Sequence, residues 1–219
     1  MSEDVFEALG RVGLVPVISL QHADDAVPLA QALSQGQLPV AEITFRTPAA
    51  GESLRRMARD CPHMMLGAGM VLTLRQAEQA QAAGASYIVS PGFDPAVVDW
   101  CLRQDMPILP GVATPSEILL ALGRNLRSLK FFPAQELGGT RMLKALRGPF
   151  GEVRFVPTGG ITAENMAEYL ALPNVIAVGG SWMAPNSLIA AGRFAEITAL
   201  AAAAVQAARA ARAQPASSV

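Results

Sequence analysis

A lysine lies within a short apolar segment of the chain, Ser128-Leu129-Lys130-Phe131-Phe132-Pro133. Because an unpaired ammonium is costly to bury, a lysine in such a segment is usually paired with an anion or gives up its proton easily. A desolvated, neutral lysine can attack a carbonyl carbon and form a Schiff base. The alternative is that Lys130 ends a strand and extends its ammonium group to solvent. Lys144 is the only other lysine in the chain, whose remaining basic residues are arginines.

Three polar residues alternate with apolar ones in the segment 40–46. In a strand, this spacing places Glu42, Thr44 and Arg46 on one face. If that face points into the same cavity as Lys130, Arg46 can hold a carboxylate with a two-pronged contact, and Glu42 can move protons beside an imine. The alternative is an internal ion pair between Glu42 and Arg46 that serves only to satisfy both charges.

Two glycine pairs follow the last two apolar runs, as Thr158-Gly159-Gly160 and Gly179-Gly180-Ser181. Glycine lets a backbone approach an anion closely, and in barrels of alternating strands and helices the last two such loops often bind phosphate. One glycine pair alone usually indicates a tight turn. Two pairs at corresponding positions predict a phosphate site.

Short apolar runs alternate with segments of helical spacing along the whole chain. The runs are 12–19, 40–45, 64–66, 87–89, 108–109, 129–132, 153–156 and 175–178, and the helical segments include 49–59, 74–83, 95–104, 115–122, 142–146, 163–170 and 194–212. This alternation predicts an α/β protein with a parallel sheet covered by helices. Eight units favour a (β/α)8 TIM barrel over the alternative, an open doubly wound sheet.

The two ends of the chain complete this organisation. Residues 1–10 read as an extra N-terminal helix that covers one end of the barrel. We expect residues 1–212 to form a single domain and residues 213–219, which contain Pro215 and two serines, to be a disordered tail.

Composition excludes several classes of function. The formal net charge is -1, and the sequence has no basic run of the kind that binds nucleic acid. No stretch reaches the roughly 18 apolar residues of a membrane span, and the acidic start is unlike a signal peptide, so we expect a cytoplasmic protein. No metal-binding motif includes the two cysteines, at positions 61 and 101, or the two histidines, at positions 22 and 63. We therefore expect chemistry on a small molecule without a metal.

Nine short motifs occur in order between about residues 5 and 205. They are VPVI at 15–18, EITFRT at 42–47, GAGMVL at 67–72, SPGF at 90–93, LPGVATPSE at 109–117, KFFPA at 130–134, RGPF at 147–150, RFVPTGGI at 154–161 and GGSW at 179–182. Each motif alone is ordinary. Together they make the chain resemble the bacterial 2-keto-3-deoxy-6-phosphogluconate aldolases, a family also described as 4-hydroxy-2-oxoglutarate aldolases.

The resemblance implies a class I aldolase that uses no metal or other cofactor and assembles as a homotrimer. Such an enzyme cleaves 2-keto-3-deoxy-6-phosphogluconate to pyruvate and glyceraldehyde 3-phosphate, and 4-hydroxy-2-oxoglutarate to pyruvate and glyoxylate. The resemblance also implies that Lys130 forms the Schiff base, that Glu42 is the general acid and base, and that Arg46 binds the pyruvate carboxylate. The remaining implied contacts are Pro91, Phe132 and Thr158 to pyruvate, and Gly159, Gly160, Gly179, Gly180 and Ser181 to phosphate.

The chain departs from the family at Met70, the fourth residue of GAGMVL, where the family usually has a threonine that helps to bind the pyruvate carboxylate. We expect weaker binding of pyruvate or a preference for a different 2-oxo acid. Three further alternatives stay open: an aldolase for the galactonate epimer, a phosphosugar isomerase or epimerase that uses Glu42 without a Schiff base, and a phosphate-ligand binder without activity.

Overall fold

The computed structural model describes residues 5–213, over which strands and helices alternate. The strands are β1 (Leu14–Ile18), β2 (Val40–Thr44), β3 (Met65–Gly69), β4 (Tyr87–Val89), β5 (Ile108–Leu109), β6 (Gly111–Val112), β7 (Ser128–Phe131), β8 (Arg154–Pro157) and β9 (Val178–Gly180). The helices are α1 (Val5–Val12), α2 (Ala26–Gln35), α3 (Ala50–Asp60), α4 (Leu74–Ala82), α5 (Pro95–Arg103), α6 (Pro115–Leu122), α7 (Gly139–Arg147), α8 (Met166–Leu170), α9 (Asn186–Ala190) and α10 (Phe194–Ala213). Neighbouring strands pair in parallel.

The strands close into a barrel at two junctions. Six strands form one sheet in the order β5-β4-β3-β2-β1-β9, and three form another in the order β6-β7-β8. Pro110 lies between β5 and β6, and its carbonyl accepts a hydrogen bond from the Lys130 amide at 2.9 Å. On the other side, parallel bridges join Phe155 to Val175 and Thr158 to Gly179. The TIM barrel is thus confirmed, and the open doubly wound sheet is wrong.

Three strands differ from their predicted positions by three residues at one end. The third was expected at 64–66 but lies at Met65–Gly69, so Gly67 and Gly69 belong to the strand. The fifth continues as β6 beyond Pro110, which interrupts the pairing because proline has no amide hydrogen to donate. The eighth was expected at 175–178 but lies at Val178–Gly180, so Gly179 and Gly180 belong to the strand instead of following it. The short helix α9 was not predicted, because five residues give too little periodicity to recognise.

Helix α6 begins and ends where local chemistry predicts. For α6, Pro115 occupies the first turn, and Thr114 and Glu117 form a capping box in which each side chain satisfies backbone amides. The predicted bounds, 115–122, are therefore those observed. None of the helices within residues 5–213 is long and apolar enough to cross a membrane.

Both terminal helices pack against the barrel. In α1, Phe6 and Leu9 are buried, and the Phe6 ring meets Tyr87 of β4 edge-on, with centroids 6.2 Å apart. Helix α1 thus covers one end of the barrel, as expected. Arg212 of α10 donates to the Gly10 and Ile176 carbonyls, and its burial lowers the pKa of the guanidinium. Residues 1–4 of the predicted N-terminal helix and residues 214–219 of the predicted tail lie outside the described residues, whereas Ala213 of that tail is the last residue of α10.

Candidate active site

A cavity of about 280 Å³ opens at the carboxyl ends of the strands. Ten of the residues singled out in the sequence line it, from five strands or the segments that follow them. They are Arg46, Met70, Lys130, Phe132, Thr158, Gly159, Gly160, Gly179, Gly180 and Ser181. Thr44 lines it too, and its hydroxyl donates to the Ile18 carbonyl at 2.9 Å. Residues that are distant in sequence thus surround one space, as a barrel requires.

Lys130 lies inside the barrel and is paired. Its Nζ is 3.3 Å from Oε1 of Glu42, and each side chain is 3% exposed. The alternative in which the lysine extends to solvent is therefore wrong. Nζ also lies 5.4 Å from the centroid of the Phe132 ring, within the range of a cation–π contact. The arrangement places an amine and a proton acceptor side by side at the base of the cavity.

Strand register and a glycine bring Glu42 to the lysine. Glu42 of β2 pairs with Gly67 of β3, and Thr44 pairs with Gly69. A Cβ added at Gly69 would lie 2.6 Å from Cγ and 2.8 Å from Cδ of Glu42, closer than real atoms allow. The glycine is therefore required because the carboxyl group occupies the space of its missing side chain.

Arg46 lies farther out than Glu42 and is exposed. Within residues 5–213 it forms no ion pair, so the alternative of an internal Glu42–Arg46 pair is wrong. Its Nη2 is 3.6 Å from Sδ of Met70. A thioether is only a weak acceptor, so the guanidinium keeps its capacity to bind a carboxylate. Met70 has a φ of +56°, in the left-handed region that is uncommon for residues other than glycine.

At the predicted phosphate end of the cavity, glycines occupy positions where the backbone has a positive φ or where two loops come close together. Gly159 and Gly160 have φ values of +99° and +72°, which glycine adopts without strain. A Cβ at Gly179 would lie 3.2 Å from the Cβ of Thr158 and closer still to its hydroxyl. The two loops are therefore in direct contact. Ser181 is exposed and lines the same cavity.

Two predicted site residues do not lie on the cavity wall formed by residues 5–213. Glu42 lies beneath it, against Lys130. Pro91 packs against Gly111, where an added Cβ would collide with the Pro91 carbonyl. Gly111 is the strand partner of Lys130. The Pro91 backbone thus lies against β6, the strand next to the lysine strand, and Pro91 is not part of the wall.

The cavity also contains residues that the sequence reasoning missed, namely Val17, Ile18, Ser19, Ile161 and Asn186. Ser19 comes directly after the first apolar run, so the rule that selects residues at strand ends could have found it. Asn186 begins α9, and no pattern marked it. Within the described part of the chain, no three histidine, cysteine, aspartate or glutamate residues are grouped so that they could hold a metal ion.

Similar proteins place this geometry in a family. Residues 5–200 match the sequence model of the aldolase family described as KDPG and KHG aldolase. The 2-dehydro-3-deoxy-phosphogluconate aldolase of Treponema pallidum is 54% identical over 196 residues, which cover 90% of this chain and 93% of that protein.

Two solved structures are similar to this chain in both fold and sequence. The KDPG aldolase of Legionella pneumophila, with pyruvate captured at low pH as a covalent carbinolamine intermediate, has a TM-score of 0.90 and 40% identity, covering 93% of this chain and 99% of that one. The 2-keto-3-deoxy-6-phosphogluconate aldolase of Zymomonas mobilis ZM4 with 3-phosphoglycerate has a TM-score of 0.85 and 39% identity, covering 91% and 94%. This chain therefore belongs to the KDPG and KHG aldolase family.

Proposed function

We propose that this chain is a class I aldolase that cleaves 2-keto-3-deoxy-6-phosphogluconate to pyruvate and glyceraldehyde 3-phosphate. The observation that carries the proposal is the buried pair of Lys130 Nζ and Glu42 Oε1, 3.3 Å apart at the base of the cavity. A lysine in this position can become a nucleophile, because the neighbouring carboxylate can accept its proton. Family membership supports the same reaction.

The mechanism follows from these two groups. The neutral amine of Lys130 adds to the C2 ketone, and loss of water gives an iminium ion. The C4 hydroxyl then loses its proton to Glu42 through a water molecule, and the C3–C4 bond breaks. Its electron pair moves toward the iminium nitrogen, which leaves an enamine and releases glyceraldehyde 3-phosphate. Glu42 returns the proton to C3, and hydrolysis of the iminium releases pyruvate and regenerates the lysine.

The rest of the cavity fixes the two ends of the substrate. Arg46 binds the C1 carboxylate, and Phe132 and Thr158 line the middle of the site, with Pro91 against Gly111, the strand partner of Lys130. Gly159, Gly160, Gly179, Gly180 and Ser181 bind the phosphate. The related Zymomonas mobilis structure contains a phosphorylated acid, 3-phosphoglycerate, which supports an anion site in this fold. The same machinery cleaves 4-hydroxy-2-oxoglutarate to pyruvate and glyoxylate, since that reaction needs the pyruvate half only.

The test measures pyruvate release from both substrates with lactate dehydrogenase and NADH. We expect the wild-type protein to cleave both, and Ser181→Ala to raise KM about tenfold for the phosphorylated substrate alone, as for loss of one hydrogen bond to a charged group. Ser187→Ala, an exposed serine in α9, is the matched control and should change neither KM. Folded wild-type protein that releases no pyruvate from either substrate would refute the proposal.

We further propose that the enzyme is a homotrimer, which the family resemblance implies. Light scattering after size exclusion should then give three times the chain mass of 22.9 kDa. We place the reaction in the cytoplasm, because a phosphorylated sugar acid does not cross membranes unaided. Fluorescence of a tagged chain in cells would test this location.

A further inference from the structure

Tyr87 carries a buried hydroxyl group that the proposed mechanism does not use. Its side chain is 0% exposed, and within the described residues the hydroxyl has no hydrogen-bond partner. A buried polar group without a partner destabilises a fold, and native proteins contain few of them. A phenylalanine would fill most of the same space without this cost. The cost of burying the Tyr87 hydroxyl indicates that this group has a function.

Strand register places Tyr87 in the same layer of the barrel as Glu42. Glu42 pairs with Gly67, and Gly67 pairs with Tyr87, so the three residues lie side by side on β2, β3 and β4. A Cβ added at Gly67 would lie 2.7 Å from the Tyr87 hydroxyl oxygen. The end of the phenol thus lies over Gly67, in the space left by its missing side chain.

The Glu42 carboxyl group lies over Gly69, the next residue of β3 on the same face. The phenol and the carboxyl group therefore end over neighbouring glycines of one strand. Burial raises the pKa of Tyr87 well above its ordinary value, and the charge of Glu42 raises it further. The phenol thus keeps its proton in the working range of pH, and toward a carboxylate it can act only as a donor.

The reaction creates a need for such a donor. In the resting enzyme the Lys130 ammonium compensates the charge of Glu42. When Lys130 forms the iminium ion, its nitrogen keeps a positive charge but falls from three N–H donors to one, so the buried Glu42 carboxylate loses hydrogen-bond donors. A buried carboxylate that loses donors is destabilised unless another group supplies them. Tyr87 is the neighbouring group that can supply a proton for this hydrogen bond.

We propose that Tyr87 is a positioning residue for Glu42, to whose carboxylate it donates a hydrogen bond, directly or through one water, once Lys130 has reacted with the substrate. The proposal rests on the proposed function, because it assigns Tyr87 to the same Schiff-base cycle. Among the described residues, the charged and titratable groups that face Glu42 are Lys130 from β7 and Tyr87 from β4. Arg46 lies farther out, two residues after the end of β2.

Tyr87→Phe tests this role through kinetics. We expect kcat to fall about tenfold to hundredfold, as for loss of a hydrogen bond to a charged group, while KM changes less than about twofold. The acidic limb of the pH profile of kcat should move to higher pH, because the anionic form of the site loses a donor. Tyr169→Phe removes the hydroxyl of the chain's other tyrosine, which donates to Gln135 at 2.8 Å, and should leave that limb in place.

A second measurement keeps the phenol intact. The chain has two tyrosines, so labelling with 3-fluorotyrosine gives two fluorine resonances, and Tyr169→Phe leaves that of Tyr87 alone. We expect the Tyr87 resonance to shift when pyruvate is trapped on the enzyme with borohydride. The shift should be lost in Glu42→Gln, because an amide accepts a hydrogen bond less strongly than a carboxylate.

The outcomes separate the two proposals. If the wild-type enzyme cleaves its substrate but Tyr87→Phe matches it in kcat and pH profile, the role of Tyr87 is refuted and the proposed function stands. A fluorine resonance that does not move on trapping refutes the role of Tyr87 even if Tyr87→Phe cannot be folded. A wild-type protein that neither cleaves substrate nor traps pyruvate refutes the proposed function, and the role of Tyr87 with it.

Discussion

Lys130 and Glu42 form a buried ion pair across the barrel, with Nζ of β7 3.3 Å from Oε1 of β2. The two residues are 88 positions apart in sequence, so only closure of the barrel brings them together. A buried pair of this kind adds little net stability compared with apolar side chains of the same size. Its presence at the base of a cavity is therefore better explained by chemistry than by folding.

Glu42→Gln should separate formation of the Schiff base from proton transfer at carbon. The amide keeps the shape of the side chain but cannot accept and return a proton, so we expect kcat to fall on the order of 10²- to 10⁴-fold. Exchange of the pyruvate methyl protons with deuterated water, followed by NMR, should slow by a similar factor. Borohydride should still trap pyruvate on Lys130, though more slowly, because the amine has lost its proton acceptor.

Glu152→Gln is the matched control for this variant. Glu152 is exposed, pairs with Arg127 and does not line the cavity, so its loss should leave methyl exchange unchanged. Because removing one partner of a buried pair commonly costs about 3–5 kcal/mol, circular dichroism should first show that Glu42→Gln is folded. Wild-type exchange rates in folded Glu42→Gln would assign proton transfer to another group.

Gly69→Ala should impair catalysis by displacing Glu42. The new methyl group would overlap the Glu42 carboxyl group, so this side chain must turn away from Lys130. A shift of about 1 Å in a reacting group can cost roughly 10²-fold in rate. Gly51→Ala, in helix α3 with no atom within 4 Å of the added Cβ, is the control and should keep full activity. Comparable kcat values for the two variants would contradict the role of Gly69.

Met70→Thr tests the departure from the family. A hydroxyl group beside Arg46 adds a donor for the pyruvate carboxylate, so we expect KM for pyruvate in the synthesis direction to fall about tenfold. Met70 has a φ of +56°, a conformation that β-branched residues avoid, so the same variant should melt at a lower temperature. Met70→Leu, which adds no donor, should keep the wild-type KM. Equal KM values in all three proteins would rule out an effect of Met70 on pyruvate binding.

Stability should fall at alkaline pH because of Cys101. Burial raises the pKa of this thiol to about 12, whereas a thiol in an unfolded chain has a pKa of about 8.5. The folded-state pKa is the higher one, so the stabilisation is complete below about 8.5 and is lost as the pH rises toward 12. Urea unfolding at about pH 8 and pH 10.5 should show this loss, and Cys101→Ala should reduce it. A Cys101→Ala variant with an unchanged pH dependence would contradict the assignment.

The barrel was predictable because most strands are short apolar runs and several helices have their own start signals. Helix α6 shows this best, since Thr114, Pro115 and Glu117 determine where it begins without help from the rest of the fold. The eighth strand was misplaced because its last residues are glycines, which carry no apolar pattern. Their strand pairing depends on Leu14 to Pro16 of β1, far away in sequence.

The site was predictable where a residue type was unusual for its surroundings. Lys130 in an apolar run and the alternation from Glu42 to Arg46 both indicated side chains that meet inside the barrel. The position of Pro91 beside β6 depends on packing against Gly111, which no local pattern encodes. The same is true of Tyr87, whose place beside Glu42 results from strand register across β3.

The central claim is that Lys130 forms a Schiff base, and borohydride trapping tests it most directly. The protein is treated with pyruvate and borohydride, digested and analysed by mass spectrometry. We predict a carboxyethyl group on Lys130 and none on Lys144, the chain's other lysine. The folded variant Lys130→Met should remain unmodified. An adduct on Lys144 alone, or no adduct on folded wild-type protein, would contradict the mechanism.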